Sequence, residues 1–299
     1  MTSPFEIHDP RFRDIALPVA ALERLYTGCL WAEGPVYLPL SDSVIWSDIP
    51  NDRMLQYVPG LGARVYRQPA NHSNGNTRDR EGRLVTCEHG ARRVTRTEHD
   101  GSITVLADRH AGKPLNSPND VVVASDGAIW FTDPPYGILH DYEGHKAPME
   151  QAGCFVYRID PATGAVAAMI TDMRRPNGLA FSADERTLYV SDTAWAHDPD
   201  GPRHIRAYTL AGGRCGDPRV VVEMTEGVAD GFRLDAAGRI WTSAGDGVHC
   251  YHPDGTLLGK IGVPEVVSNL TFGGPRRNRL YITATSSLYA VYVGEKGLR

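Results

Sequence analysis

A short hydrophobic stretch bounded by polar residues recurs six times along this 299-residue chain. Each copy begins with a polar turn, usually acidic or glycine-containing, runs through an aromatic or β-branched centre, and ends at a Thr or Asp. The copies are 41–48 (SDSVIWSD), 79–86 (DREGRLVT), 126–133 (DGAIWFTD), 184–192 (DERTLYVSD), 235–242 (DAAGRIWT) and 277–283 (RNRLYIT). Turn residues followed by a brief β-branched or aromatic run predict one strand in each copy.

The spacing of these six strands predicts a ring of blades. Their central residues are Trp46, Val85, Trp130, Tyr189, Trp241 and Tyr281, with separations of 39, 45, 59, 52 and 40 residues. One four-stranded propeller blade takes about 40–50 residues. A two-sheet sandwich is the alternative, but it gives no reason for such a repeat. We therefore expect an all-β, six-bladed β-propeller over residues 22–299, preceded by an N-terminal extension over residues 1–21.

Other segments fit this architecture. The alternating stretches 154–159, 249–252 and 287–292 are typical of further strands. The two longest separations predict loop insertions in the third and fourth blades, at 136–151 and 195–202, which are rich in Gly, Pro, Asp and His. Helical periodicity is weak and confined to residues 18–26.

Composition narrows the classes of function. The net charge of −5 comes without a basic cluster, which argues against a nucleic-acid partner. The sequence contains no run of 18 apolar residues, so it predicts no membrane-spanning helix. The N-terminus lacks the basic and apolar segments of a signal peptide, so we expect a cytoplasmic protein, with a processed exported form still open. Five widely spaced cysteines without a Cys-x-x-Cys pair argue against a disulfide framework or zinc ribbon. The sequence does not indicate an oligomeric state.

A propeller brings together residues that are far apart in sequence, because the innermost strand of every blade faces one central shaft. Four oxygen-bearing residues precede repeat centres by similar offsets: Glu33 by 13, Asn119 by 11, Asn177 by 12 and Asp230 by 11 residues. A short hydrophobic stretch follows each, which predicts a place at the entrance to an innermost strand. Asn-Gly and Asp-Gly pairs are also ordinary turn signals, but their shared phase favours a common site.

The two remaining blades carry amides at the matching place. Asn74 and Asn76 lie there in the second blade and Asn269 in the sixth, at offsets of 11, 9 and 12 residues. Two carboxylates with several amide oxygens predict a site for one hard divalent cation. Ca²⁺ suits such a flexible oxygen-rich set best, and Mg²⁺, Mn²⁺ or Zn²⁺ are the alternatives.

Four motifs, in the same order, resemble those of the SMP-30/gluconolactonase/LRE family. They are WAEGP (31–35), PNDV (118–121), PNGLAFS (176–182) and DG (230–231), and the similarity runs from about residue 22 to 292. The resemblance implies a six-bladed propeller with a divalent metal in its shaft and hydrolysis of lactones, in many members lactones of sugar acids. It makes Glu33, Asn177 and Asp230 metal ligands, Asp230 also the general base, and Asn119 a contact of metal and substrate.

One position departs from part of that family. Ser117 stands where vertebrate members have an Arg that assists sugar binding, so substrate preference does not transfer directly. The stretches 116–121 and 131–137 look closer to bacterial gluconolactonases. The sequence lacks the Gly-x-Ser-x-Gly motif, which argues against a serine hydrolase of that type.

The sequence therefore predicts a carboxylic-ester hydrolase, a gluconolactonase-like lactonase that converts sugar-acid lactones such as glucono-1,5-lactone to the aldonic acid. The cation would polarise the carbonyl and Asp230 would take a proton from the attacking water. The alternative is a non-catalytic metal-binding propeller acting as a binding or interaction protein, since propellers host many functions. The expected substrate-binding residues are Asn119, Asn76, His72, Tyr136 and Trp195.

Overall fold

Six antiparallel sheets surround a central shaft in the computed structural model, which describes residues 3–298. Two N-terminal strands precede them, β1 (Phe5–Ile7) and β2 (Glu23–Thr27). Blade 1 contains β3 (Ala32–Leu38), β4 (Ser43–Asp48), β5 (Arg53–Val58) and β6 (Gly62–Arg67). Blade 2 contains β7 (Ser73–Arg78), β8 (Leu84–Glu88), β9 (Arg93–Thr97) and β10 (Ile103–Ala107). A small hairpin follows, β11 (Arg109–His110) and β12 (Lys113–Pro114).

The remaining blades repeat the pattern. Blade 3 contains β13 (Val121–Val123), β14 (Ile129–Asp133), β15 (Phe155–Ile159) and β16 (Val166–Ile170). Blade 4 contains β17 (Pro176–Phe181), β18 (Thr187–Asp192), β19 (His204–Ala211), the short β20 (Arg214–Cys215) and β21 (Arg219–Glu223). Blade 5 contains β22 (Phe232–Leu234), β23 (Ile240–Ala244), β24 (Gly247–Tyr251) and β25 (Leu257–Gly262). Blade 6 contains β26 (Val267–Gly273), β27 (Arg279–Ala284) and β28 (Ser287–Tyr292).

The repeat centres form the core of the blades. All six lie in the second strand of a blade, and none is more than 8% exposed. The innermost strands β3, β7, β13, β17, β22 and β26 contact one another in that order, and β26 returns to β3. The predicted all-β, six-bladed β-propeller is confirmed.

Both ends of the chain build the last blade. Strand β2 pairs antiparallel with β28, so Glu23 lies opposite Ala290 and Thr27 opposite Ser287. The weak helical pattern at residues 18–26 is therefore wrong as a prediction. Pairing with the open edge of β28 stabilises a strand at Glu23–Thr27 more than the marginal local propensity stabilises a helix. Ahead of it, β1 extends blade 5 by pairing with β25, and Phe12 is fully buried against Trp241.

The two predicted insertions lie on the same end of the propeller. The first connects β14 to β15 and contains the short helix α1 (Tyr136–Leu139). The second connects β18 to β19 and contains a single 3₁₀ turn, Ala194–Ala196. Across residues 3–298, the structure contains no helix with the length and apolar character needed to cross a membrane.

Candidate active site

A cavity of about 440 Å³ opens at the end of the shaft where the innermost strands begin. Both inserted segments contribute to its wall, Tyr136 and Glu143 from the first and Trp195 from the second. This volume is in the range of small-molecule sites. The sequence-predicted residues that the structure brings to it are Glu33, Asn74, Asn119, Tyr136, Asn177, Trp195 and Asp230.

Most of the innermost strands are irregular where they carry a candidate residue. The pairing of β3 with β4 shifts register between Glu33 and Val36, and that of β17 with β18 shifts between Pro176 and Leu179. Corresponding shifts occur in β7, between Ser73 and Asn76, and in β26, between Val267 and Asn269. A bulge bends a strand and re-aims its side chains, so these shifts change which side chains of the innermost strands face the cavity.

The hydroxyl near the end of a repeat anchors the candidate residue of the following blade. The side-chain hydroxyl reaches the innermost strand of the next blade and donates a hydrogen bond to a backbone carbonyl oxygen there. This bond fixes the backbone position from which the candidate side chain projects. The pairs are Ser47 Oγ to Asn74 O (2.7 Å), Thr132 Oγ1 to Asn177 O (2.8 Å) and Ser191 Oγ to Asp230 O (3.3 Å).

The acid that follows this hydroxyl holds the candidate residue of its own blade. In three blades its carboxylate accepts from the backbone N–H three positions before that residue. Repeat and candidate residue are thus joined by hydrogen bonds, which gives their shared phase a physical cause. The bonds are Leu30 N to Asp48 Oδ1 (2.9 Å), Asn116 N to Asp133 Oδ2 (2.8 Å) and Arg174 N to Asp192 Oδ2 (2.8 Å).

The glycines after two candidate residues serve close packing between blades. A Cβ on Gly178 would lie 2.4 Å from the Asp230 carbonyl oxygen, and one on Gly231 would lie 2.0 Å from Asn269 Cγ. Neither glycine has a positive φ. Asn177-Gly178 and Asp230-Gly231 are therefore not turns of the types that require a glycine with positive φ. The Asn-Gly and Asp-Gly motifs therefore let neighbouring innermost strands approach each other.

Buried carboxyl groups dominate the electrostatics of the site. Glu33 is 3% exposed and its Oε2 accepts from Gly34 N at 2.5 Å and from Asn269 Nδ2 at 3.0 Å. Burial and the facing charge of Asp230 raise the pKa of Glu33 well above its usual range. Burial, followed by the charge of Glu143, raises the pKa of Asp230 to about 7. Both shifts arise first from burial, which disfavours the charged form, and then from the like charge of a neighbouring acid.

These donors fit a divalent cation. Arg233 offsets a third buried acid, since its Nη1 lies 3.6 Å from Asp120 Oδ2, but Glu33 and Asp230 have no such partner within residues 3–298. In that same part of the chain, no three His, Cys, Asp or Glu side chains cluster with metal-ligand geometry. A cation here would therefore depend on two carboxylates supplemented by amide oxygens, a donor set that suits hard cations.

A hydroxyl orients the Asn177 amide. Asn177 Nδ2 lies 3.2 Å from Thr193 Oγ1 and donates to it, which leaves Asn177 Oδ1 for the cavity. The Tyr136 hydroxyl lies 2.5 Å from the same Thr193 oxygen, and the Tyr136 ring stacks on His197. Tyr136 thus supports a shaft residue in addition to forming part of the wall.

A buried histidine orients Asn74 in the same way. Asn74 Nδ2 lies 3.2 Å from His89 Nε2, and His89 Nδ1 lies 3.2 Å from the Glu143 carbonyl oxygen. Because the amide nitrogen can only donate and the Glu143 carbonyl oxygen can only accept, His89 Nε2 is the acceptor and the ring proton is on Nδ1. Burial lowers the pKa of His89 to about 4, which keeps the ring neutral.

Sequence reasoning missed His89 and Thr193. One signal could have found both, because each directly follows an acid at the end of the second strand of its blade, Glu88 of β8 or Asp192 of β18. Glu143 was also missed, and it lies in an insertion without any periodic pattern.

Three of the sequence-predicted residues do not line the cavity. Asn76 is fully buried between strands, where Nδ2 donates to Gly34 O, Ser47 Oγ and Asn74 O. His72 lies behind the wall, with Nδ1 2.9 Å from the Ile49 carbonyl oxygen. The Asn269 oxygen accepts from Leu270 N while its amide holds Glu33.

Ser117 is enclosed by the first insertion. Its Oγ donates to the Pro134 carbonyl at 2.6 Å and accepts from Gly137 N at 3.0 Å. A Cβ on Gly137 would already lie 2.9 Å from Ser117 Cβ. A long side chain at 117 would therefore collide with α1, so the arginine of the vertebrate pattern cannot be accommodated.

Comparison with known proteins agrees with this geometry. Residues 31–286 match the family model of the SMP-30/Gluconolactonase/LRE-like region. A gluconolactonase of Zymomonas mobilis is 30% identical over 303 aligned residues, covering 93% of this chain and 82% of that protein. A pentonolactonase of Haloferax volcanii is 29% identical over 265 residues, covering 86% and 82%. The solved structure of a gluconolactonase from Xanthomonas campestris superposes with a TM-score of 0.91 at 39% identity, covering 97% of this chain and 94% of that one. The chain belongs to the SMP-30/gluconolactonase/LRE-like family.

Proposed function

We propose that this protein hydrolyses sugar-acid lactones, such as glucono-1,5-lactone, at a divalent cation held by Glu33, Asn177 and Asp230 with Asn119 beside them. The supporting observation is the convergence of two carboxylates and these amides on one small-molecule cavity at the shaft mouth. Family membership and the lactonase relatives show the coarser class, a lactone-hydrolysing carboxylic-ester hydrolase with a small-molecule substrate. The sugar-acid preference, the cation and the residue roles are the proposed parts.

Glu33 and Asp230 are the anionic ligands of the proposed centre, and Asn177 presents an oxygen because Thr193 engages its amide nitrogen. Asn269 holds Glu33 in place through its Oε2. A bound divalent cation supplies Lewis-acid stabilisation of the negative charge that develops on the lactone carbonyl oxygen. Ca²⁺ is the proposed ion because all the donors are oxygens on a set built from several blades.

Asp230 is the proposed general base. Its carboxylate takes a proton from water as the water oxygen bonds to the carbonyl carbon. The ring C–O bond then breaks, and the protonated Asp230 returns its proton to the ring oxygen, which becomes the hydroxyl of the open-chain acid. The shaft holds Asp230 firmly, because Ser191 binds its carbonyl and Ser243 Oγ accepts from its N–H at 2.9 Å.

The wall residues would position the sugar ring. Asn119 offers an amide to the substrate hydroxyls and lies at the cavity surface. Tyr136 of the first insertion and Trp195 of the second each provide a flat aromatic face. Arg203 Cζ lies 4.8 Å from the centroid of the Trp195 ring, so the guanidinium covers that ring. Asn76 and His72 are left out of the proposed contacts because their polar atoms bind backbone groups away from the cavity.

The test is a hydrolysis screen over aldonolactones, aliphatic lactones and acyl-homoserine lactones, with spontaneous opening subtracted. Asp230→Ala should lower kcat/KM on the best substrate by about 10²–10⁴-fold, the usual contribution of a general base. Asp217→Ala is the control, since Asp217 is exposed and is not among the residues that line the cavity. Wild-type rates in Asp230→Ala with metal still bound would reject the proposed base. No hydrolysis of any lactone by the wild type would favour a binding protein instead.

A further inference from the structure

The cavity contains a carboxylate that the proposed hydrolysis does not use. Glu143 lies between α1 and β15, lines the cavity and is half-buried. Among residues 3–298, no donor lies within hydrogen-bond distance of its carboxylate, and burial raises the pKa of this group to about 7. A partly desolvated acid without a protein partner is costly, and such groups are frequent at functional sites.

The backbone around Glu143 is firmly held. Its carbonyl accepts from His89 Nδ1, and Ala147 N donates to the Ile138 carbonyl at 3.1 Å. The next residue, Gly144, packs so tightly that a Cβ there would lie 2.2 Å from the Gly137 carbonyl oxygen. The position of the Glu143 side chain at the mouth is therefore set by the fold rather than by a chance loop conformation.

Glu143 also changes the charge of the mouth. Two ligand carboxylates, Glu33 and Asp230, would balance a divalent cation, and Arg233 pairs with Asp120. Glu143 then adds one negative charge, and none of the described residues that line the cavity is a Lys or Arg that could offset it. Its effect reaches the centre of the site, because its charge is the second cause of the raised pKa of Asp230.

We propose that Glu143 determines specificity: its carboxylate accepts hydrogen bonds from the hydroxyls of a neutral polyhydroxylated lactone and disfavours ligands with a fixed negative charge. Above its pKa of about 7 this group is an ionised, acceptor-only carboxylate, so it matches sugar hydroxyls and repels anions. Hydrolysis turns a neutral lactone into a carboxylate anion after loss of a proton, so the same charge would assist product release. This inference rests on the proposed lactonase function.

The test compares Glu143→Gln with Glu150→Gln. Glu150 is in the same insertion and loses the same charge, but it is exposed, pairs with Arg92 and is not part of the wall. The substrates are glucono-1,5-lactone, the unsubstituted δ-valerolactone and a gluconolactone carrying a phosphate at C6. Gluconate inhibition is measured alongside, to follow the product anion.

Loss of a charge-assisted hydrogen bond should lower kcat/KM for glucono-1,5-lactone about tenfold in Glu143→Gln, and leave δ-valerolactone within about twofold of wild type. The phosphorylated lactone should gain about fivefold or more, and gluconate should inhibit more strongly, as a like charge has been removed. Glu150→Gln should keep all four values near wild type.

The outcomes separate this inference from the function on which it rests. Unchanged substrate ratios in Glu143→Gln, with wild-type hydrolysis present, overturn the specificity role alone. An equal loss on all three lactones also overturns it, because that pattern indicates a general structural role. Wild-type protein that opens none of the lactones contradicts the lactonase function and this inference with it.

Discussion

The shaft and the inserted segments form one cavity by different means. On the shaft side, Glu33, Asn177 and Asp230 lie on or next to innermost strands whose backbones are held by hydroxyls and acids of the repeat. On the other side, Tyr136 and Trp195 lie outside the sheets and depend on side-chain contacts, such as Arg203 over Trp195. The repeat therefore fixes the geometry of the proposed chemistry, and the insertions are free to set which lactone fits.

Removing a shaft carboxylate should have the largest effect. Glu33→Gln should lower kcat/KM by about 10²–10⁴-fold, as Lewis-acid stabilisation amounts to several kcal/mol. In chelated protein the same change should raise Tm, because a buried unpaired acid has been neutralised. Thermal melts with and without Ca²⁺, with surface Glu6→Gln as control, measure both effects. A variant that loses both activity and chelated-state stability would contradict the assignment of Glu33 as a cation ligand.

Loosening the link between the two regions should have an intermediate effect. Thr193→Val removes the oxygen shared by Asn177 and Tyr136, so the amide is no longer held in one orientation. Loss of a group that orients a metal ligand typically costs 10–100-fold in metal affinity or activity, and we expect about that here. Calcium titration and kcat/KM measure it. Tyr136→Phe, which keeps the ring, should lose less metal affinity and activity than Thr193→Val. Equal losses in the two variants would mean that the tyrosine hydroxyl, rather than Thr193, orients Asn177.

The smallest expected effect is a pH dependence of stability at the junction with the first insertion. The pKa of His89 is about 4 in the folded protein against 6.5 ordinarily, so between these values the folded state binds fewer protons than the unfolded state. The stability contributed by neutral His89 is thus present above pH 6.5 and is lost as pH falls towards 4. His89→Gln should reduce this slope by at most about 1.4 kcal/mol per pH unit.

Denaturant unfolding of both proteins from pH 7 to 4 measures that difference. Asp133 and Asp230, whose pKa values burial raises to about 7, titrate with the opposite sign in the same window. They are common to both proteins, so the difference isolates the histidine. Parallel curves for wild type and His89→Gln would show that the ring is protonated as easily in the fold as outside it.

The sequence predicted the shaft better than the insertions for a physical reason. Glu33, Asn177 and Asp230 precede their repeat centres by 13, 12 and 11 residues, because hydrogen bonds join candidate residue and repeat, and such an offset can be counted. Asn76 has the right residue type in the right strand, but the bulge in β7 brings Asn74 to the cavity instead. Glu143 and the pairing of β2 with β28 depend on tertiary contacts that leave no local pattern.

The most direct test of the central claim is hydrolysis of glucono-1,5-lactone by chelator-treated protein whose metal content has been measured. Metal-free protein should open the lactone no faster than it opens spontaneously, and activity should recover until it saturates at one equivalent of Ca²⁺ or another divalent cation per chain. Full activity in verified metal-free protein would contradict the claim that the blades assemble one cation-dependent hydrolytic centre.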